Sequence, residues 1–211
     1  YLSIAKTYSN CVRLIFIIII LIYQSINLID FYYKTKSVYI CIIIKLKKLV
    51  MSKQKNITQI GLDTKKSEAL AIELNKLLSN YELYYQNTRG LHWNIKGKHF
   101  FELHVKFEEI YTDAQEKIDL IAERILTLGF TPLHTFSDYL KQSSIKEGKN
   151  ISEAKPAVEL IVNSLQTIII LERTILQTAD TLNDEGTITL LTDFITQQEK
   201  EIWMYSSWLN Q

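Results

Sequence analysis

Five side chains with metal-ligating chemistry stand at short, fixed spacings in this chain: His92, His104, Glu108, Asp119 and Glu123, with Trp93 beside the first. Imidazole plus carboxylate, with no thiolate, is a donor set that suits first-row metals, and iron above all. Taken singly, each carboxylate is compatible with ordinary solvation. Glu123 with Arg124 reads as surface charge, and Asp119 has Lys117 as a partner two residues away. The joint spacing carries the argument.

The elements that must position these residues are helical. Leu70, Leu74, Leu77, Leu78, Tyr81 and Tyr85 recur at three- and four-residue steps, the apolar stripe of a first long helix from about residue 64. It is expected to end around 89–97, where Gly90, Asn94 and Gly97 interrupt helix. A second helix is expected over 99–128, stopped by Gly129 with Pro132 beyond. Residues 135–142 suit a short helix inside a longer connection. Ser152 is the expected N-cap of a third helix with Pro156 in its first turn, running to Leu182. After a break at 183–186, Ile188, Leu191, Ile195, Ile202, Tyr205 and Leu209 mark the fourth. No strand pattern competes. The expected fold is all-α: a ferritin-like four-helix bundle with a short extra helix in the crossover between the second and third helices.

On the second helix, with His104 as zero and about 100° per residue, Glu108 falls near 40°, Asp119 near 60° and Glu123 near 100°. The apolar set (Phe107, Tyr111, Ala114, Ile118, Ile121, Ile125, Leu128) clusters near 300°, so the ligands flank the core and do not enter it. His104 and Asp119 are fifteen residues apart, about 22 Å along the axis. One ion cannot be shared across that distance within one chain. Two copies packed antiparallel about a twofold axis bring His104 and Glu108 of one against Asp119 and Glu123 of the other, giving two equivalent sites. His92 joins from the chain that supplies His104. A di-iron site inside each bundle needs Glu-x-x-His pairs facing the core, and the ligand face has none. His99 and His134 are left outside the set.

Charge and composition divide the chain. Residues 1–50 hold seven Lys or Arg against Asp30 alone, so residues 51–211 carry 17 basic and 22 acidic residues, a net of −5. Overall basicity therefore gives no case for nucleic-acid binding by the globular part. Residues 1–50 contain no Gly, Pro or Met, and 12–29 has the length of a short membrane span or signal core. No small-residue cleavage site follows it, and Arg13, Gln24 and Asn27 crowd its ends. The favoured reading makes 1–50 upstream sequence read through in frame from AT-rich DNA; a hydrophobic anchor is the alternative. Residues 51–63 are expected to form a flexible, Lys-containing tail and 64–211 the folded domain. Both cysteines, Cys11 and Cys41, lie in the first segment, so the globular part has neither a disulfide framework nor a thiolate metal site. A reducing cytoplasm suits it.

The segments Gly90-Leu91-His92-Trp93-Asn94-Ile95-Lys96-Gly97, Leu103-His104-Val105-Lys106-Phe107-Glu108 and Asp119-Leu120-Ile121-Ala122-Glu123-Arg124 closely resemble the Dps family, the mini-ferritins. The resemblance spans about residues 64–210. It implies that His92, His104, Glu108, Asp119 and Glu123 form a ferroxidase centre in a hollow homo-dodecamer built from twofold dimers. It further implies that Fe2+ is oxidised there, preferably by hydrogen peroxide, and stored as ferric mineral. Glu108 stands where the family often has Asp, so its carboxylate reaches one methylene further. Trp93 is then either a one-electron donor beside the site or a packing residue at the dimer interface. DNA binding, through Lys53, Lys55, Lys65 and Lys66 acting with the avidity of twelve copies, is the alternative function. In that reading the protein compacts the nucleoid and the metal site is vestigial.

Overall fold

Without a helix breaker between Leu2 and Gln54, the chain starts with one long helix, α1 (Leu2–Gln54). The computed structural model describes the backbone of residues 2–54 and 56–210, and the side chains of 13–49, 51 and 56–210. The chain divides into two compact units, Tyr1–Lys55 and Asn56–Gln211. In the first, Leu14 to Ile22 are all exposed, as are Phe31, Tyr39 and Ile42 to Ile44, so apolar side chains cover every face of α1. The stretch Arg13–Leu49 is long and apolar enough to cross a membrane, and an 18-residue window within it has a mean hydropathy of 2.2. α1 continues through Met51 to Gln54, so the first residues of the expected tail are helical. The side chains of Lys53 and Lys55 lie outside the described residues, while Lys65 and Lys66 are exposed in the first turn of the next helix.

The second unit holds α2 (Thr64–Asn94), α3 (Phe100–Thr127), the short α4 (Phe136–Gln142), α5 (Ala154–Leu182) and α6 (Glu185–Leu209). α2 pairs with α3 and α5 with α6, while α2 also packs on α5 and carries α4. The bundle of four long helices, with its extra helix in the crossover, has the expected form.

Side-chain caps set three of the starts. Asp63 accepts from Lys66 N, Thr135 from Asp138 N, and Asp184 from Thr187 N, each relieving a backbone donor that has no partner within its helix. One boundary falls where it was expected and one does not. α2 ends at Asn94, within 89–97, after running straight through Gly90, because intrahelical bonding outweighs the cost of one glycine, about 1 kcal/mol. The turn comes at Gly97, whose φ of 94° suits a residue without Cβ. α5 is capped by Glu153 with no side-chain bond, not by Ser152. The Ser152 carbonyl instead accepts from Lys96 N at 2.9 Å, tying the loop after α2 to the start of α5.

The core lies where the four apolar stripes meet: Leu70, Leu74, Leu77 and Tyr81 from α2, Phe107, Ala114 and Ile121 from α3, Ile161, Leu165 and Ile168 from α5, and Leu191 and Phe194 from α6. Tyr85, Tyr111 and Ile118, at the edges of those stripes, are half-buried. Each fully buried Leu, Ile or Phe contributes roughly 1.5–3 kcal/mol of transfer free energy. That burial fixes the rotation of α3, and with it which residues face outward.

Candidate metal centre

Because α2 persists to Asn94, His92 lies in its last turn, opposite His104 in the second turn of α3. The two imidazoles stack with centroids 3.8 Å apart and planes 20° from parallel. His92 Nδ1 lies 2.7 Å from the His104 carbonyl oxygen, and His104 Nδ1 lies 2.8 Å from the His92 carbonyl oxygen. A carbonyl oxygen only accepts, so both Nδ1 atoms carry a hydrogen. In the neutral ring this leaves Nε2 with a free lone pair, the tautomer a metal ligand needs. Phe100 stacks on His104 at 5.0 Å and Tyr111 meets His92 edge-on at 5.4 Å, so both rings are held from the side.

Glu108, one turn beyond His104, is exposed, and so are Asp119 and Glu123 further along α3. Among the described residues no three His, Cys, Asp or Glu side chains converge on a common metal position. The histidine pair and the Asp119/Glu123 pair lie at opposite ends of one helix face. Phe101, Val105 and Leu126 are exposed in the same roughly 100° sector of α3. Trp93, 58% exposed, has the Arg89 guanidinium 4.8 Å above its ring.

Residues 72–211 match the ferritin-like domain family. The Dps protein of Vibrio cholerae O1, described as a member of a broad superfamily of ferritin-like diiron-carboxylate proteins, is 51% identical with a TM-score of 0.72, over 73% of this chain and 97% of its own. A DNA protection during starvation protein from Porphyromonas gingivalis is 40% identical over 135 residues, 64% of this chain and 85% of its own length. The chain belongs to the Dps family. An uncharacterized Haemophilus influenzae protein is 49% identical over 150 residues, 71% of this chain and 94% of its own length.

Inside this Dps bundle lies a polar cluster that the sequence reading missed. Tyr81 Oη donates to Glu172 Oε1 at 2.8 Å, and Gln198 Nε2 donates to both, at 2.5 and 2.9 Å. All three residues are fully buried. Burial pushes the Glu172 carboxyl up to about 7, although hydrogen bonds from Gln198 and Tyr81 and the charges of Lys117 and Arg173 pull the other way. Lys117, also buried, donates to Asp113 at 2.5 Å and Gln197 at 3.0 Å, so it does not serve as the counter-ion of Asp119. A usable signal was present. Glu172 falls at helical spacing between Ile168 and Ile175, and Lys117 between Ala114 and Ile121, on stripes that are otherwise apolar.

Asp184, in the break between α5 and α6, is buried. It is the N-cap of α6 and pairs with Arg124 at 2.5 Å. Burial alone would raise its carboxyl, but hydrogen bonds from Arg124 and Thr187 hold it below the usual range. Glu185 and Asp193, on α6, are exposed.

Proposed function

We propose that this Dps-family protein is a ferroxidase and iron store. Pairs of Fe2+ are oxidised by hydrogen peroxide at sites between two antiparallel copies of α3. The ferric product is held inside a cage of twelve chains assembled from those twofold dimers. Removing both Fenton reactants protects DNA from oxidative damage, in the cytoplasm.

The observation that carries this reading is the paired tautomer of His92 and His104, which in the neutral rings leaves both Nε2 lone pairs free. Asp119 and Glu123 are too far along the same face to serve those lone pairs within one chain, and a second copy supplies them. The exposed Phe101, Val105 and Leu126 give that face the apolar area a permanent interface requires.

In the reaction, two Fe2+ each give one electron to peroxide. The O–O bond breaks, and with two protons the product is two water molecules beside two Fe3+. The carboxylates of Glu108, Asp119 and Glu123 favour the harder ferric ion, which supplies part of the driving force. Delivering two electrons at once avoids release of hydroxyl radical. Trp93 stands next to His92 as the donor when a single electron is needed.

The test mixes the protein anaerobically with Fe2+, adds peroxide and follows ferric absorbance, comparing wild type with Asp119→Ala/Glu123→Ala. A loss of the fast phase in the double variant is expected; equal rates would sink the assignment.

A further inference from the structure

Asp119 and Glu123 share a property that Glu172 and Asp184 lack: among the described residues, neither carboxylate has a hydrogen bond or ion pair of its own. Nothing orients them except the rotation of the helix that carries them. What sets that rotation at this end of α3 is therefore part of the site.

Arg124 follows Glu123 directly. Its Nε donates to Thr187 Oγ1 at 2.9 Å and its Nη2 to Asp184 Oδ1 at 2.5 Å. The Thr187 hydroxyl in turn donates to Asp184 Oδ2 at 2.6 Å, and Thr187 N donates to Oδ1 at 3.2 Å. One buried carboxylate thus caps α6 and receives the guanidinium, in a closed ring of donors and acceptors. The seat depends on Gly186. A Cβ at that position would lie 2.8 Å from Arg124 Nη1 and 3.0 Å from Cζ.

A buried ion pair is a weak source of net stability, because desolvation offsets most of the attraction. A two-pronged guanidinium contact is a strong source of geometry. Consecutive helical residues are about 100° apart and residues four apart nearly eclipse. Pinning Arg124 to the first turn of α6 therefore pins Glu123, and one turn earlier Asp119. Two other polar links between these helices, from Lys117 to Gln197 and from Gln197 to Asp113, sit about two and three turns from Glu123.

We propose that Arg124, seated on Asp184 and Thr187 in the space left by Gly186, is a positioning residue that sets the angle at which Asp119 and Glu123 are presented to the metal. This rests on the ferroxidase reading above. Arg124 touches no substrate; it acts through the helix.

The experiment uses the assembled protein with Gly186→Ala, Arg124→Lys and Thr187→Val. Gly186→Ala keeps every charge and displaces only the end of a flexible side chain, so it folds and assembles. Initial rates are measured against Fe2+ concentration with peroxide in excess, and Zn2+ binding is measured by calorimetry as a readout independent of turnover. Half-saturation for Fe2+ and the Zn2+ dissociation constant are both expected to rise roughly tenfold, the scale typical of groups that orient ligands. Particle size and maximal rate should stay near wild type. A fall in Tm with unchanged Fe2+ and Zn2+ affinity in Gly186→Ala and Arg124→Lys would overturn the proposal and leave Arg124 purely structural. Glu123→Ala is run alongside. If that variant retains wild-type rate and Zn2+ affinity, the ferroxidase reading itself fails, and the positioning proposal with it. If Glu123→Ala is impaired and the Arg124 variants are not, only the positioning proposal falls.

Discussion

His92 and His104 each place Nδ1 within 2.8 Å of the other's main-chain carbonyl, so two helices fix one another's imidazole tautomers. The rings stack at 3.8 Å, so removing either one takes away the other's stacking partner and half of the imidazole donor pair, while the bond to the main-chain carbonyl stays. Either His92→Ala or His104→Ala is expected to slow peroxide-driven Fe2+ oxidation by roughly tenfold or more, and the double variant by little beyond that, because groups acting together are not additive. Stopped-flow absorbance checks it. Independent, multiplicative losses would mean that the two rings do not work as a pair.

A chain that carries only half of a site can be complemented. In a dimer of His104→Ala with Asp119→Ala/Glu123→Ala, one interface site combines both defects and the other combines neither. After joint refolding of equal amounts, roughly a quarter of all sites should be intact, since about half the dimers are mixed and each has one good site. Activity should return to about that fraction of wild type, whereas the two variants refolded separately stay inactive. No recovery in particles confirmed as mixed by mass spectrometry would place the whole site within one chain.

Glu172 should make stability depend on pH. Its carboxyl is raised from about 4.5 to about 7 because burial penalises the charged form. The folded state therefore holds its proton more tightly than the unfolded state. The resulting stability is full below pH 4.5 and is lost progressively as pH rises to about 7, after which it levels off. The shift corresponds to an order of 3 kcal/mol per chain. Glu172→Gln, which cannot ionise, should flatten this dependence and raise Tm relative to wild type at pH 8 but not at pH 5. Calorimetry at fixed protein concentration measures it. Parallel curves for the two proteins would show that Tyr81 and Gln198 accommodate the charge without cost.

The four long helices of the second unit, the crossover with its short helix and the outward phase of the candidate ligands were legible because each depends on local periodicity. Leu74, Phe107, Ile121 and Leu191 recur on stripes wide enough to survive the tertiary context, and all are buried. α2 ended within the expected 89–97 but not at Gly90, whose weak local preference against helix the flanking turns overcome. Ser152 lost the cap of α5 to Glu153 because its carbonyl is engaged by Lys96, a partner 56 residues away. Asp184 falls in the break between two helices, and only the approach of Arg124, 60 residues earlier, shows it to be a buried cap.

By itself, the sequence determined which residues are candidates for the chemistry and that His104 and Asp119 cannot meet in one chain, since the rise of a helix turns fifteen residues into about 22 Å. Only the tertiary structure decided how those residues are held. The tautomers of His92 and His104, the ring that seats Arg124 on Asp184 and Thr187, and the Tyr81–Glu172–Gln198 cluster all join residues from different helices. Hydrogen bonds of that kind depend on ångström-scale distances set by packing, and no spacing along the chain encodes them.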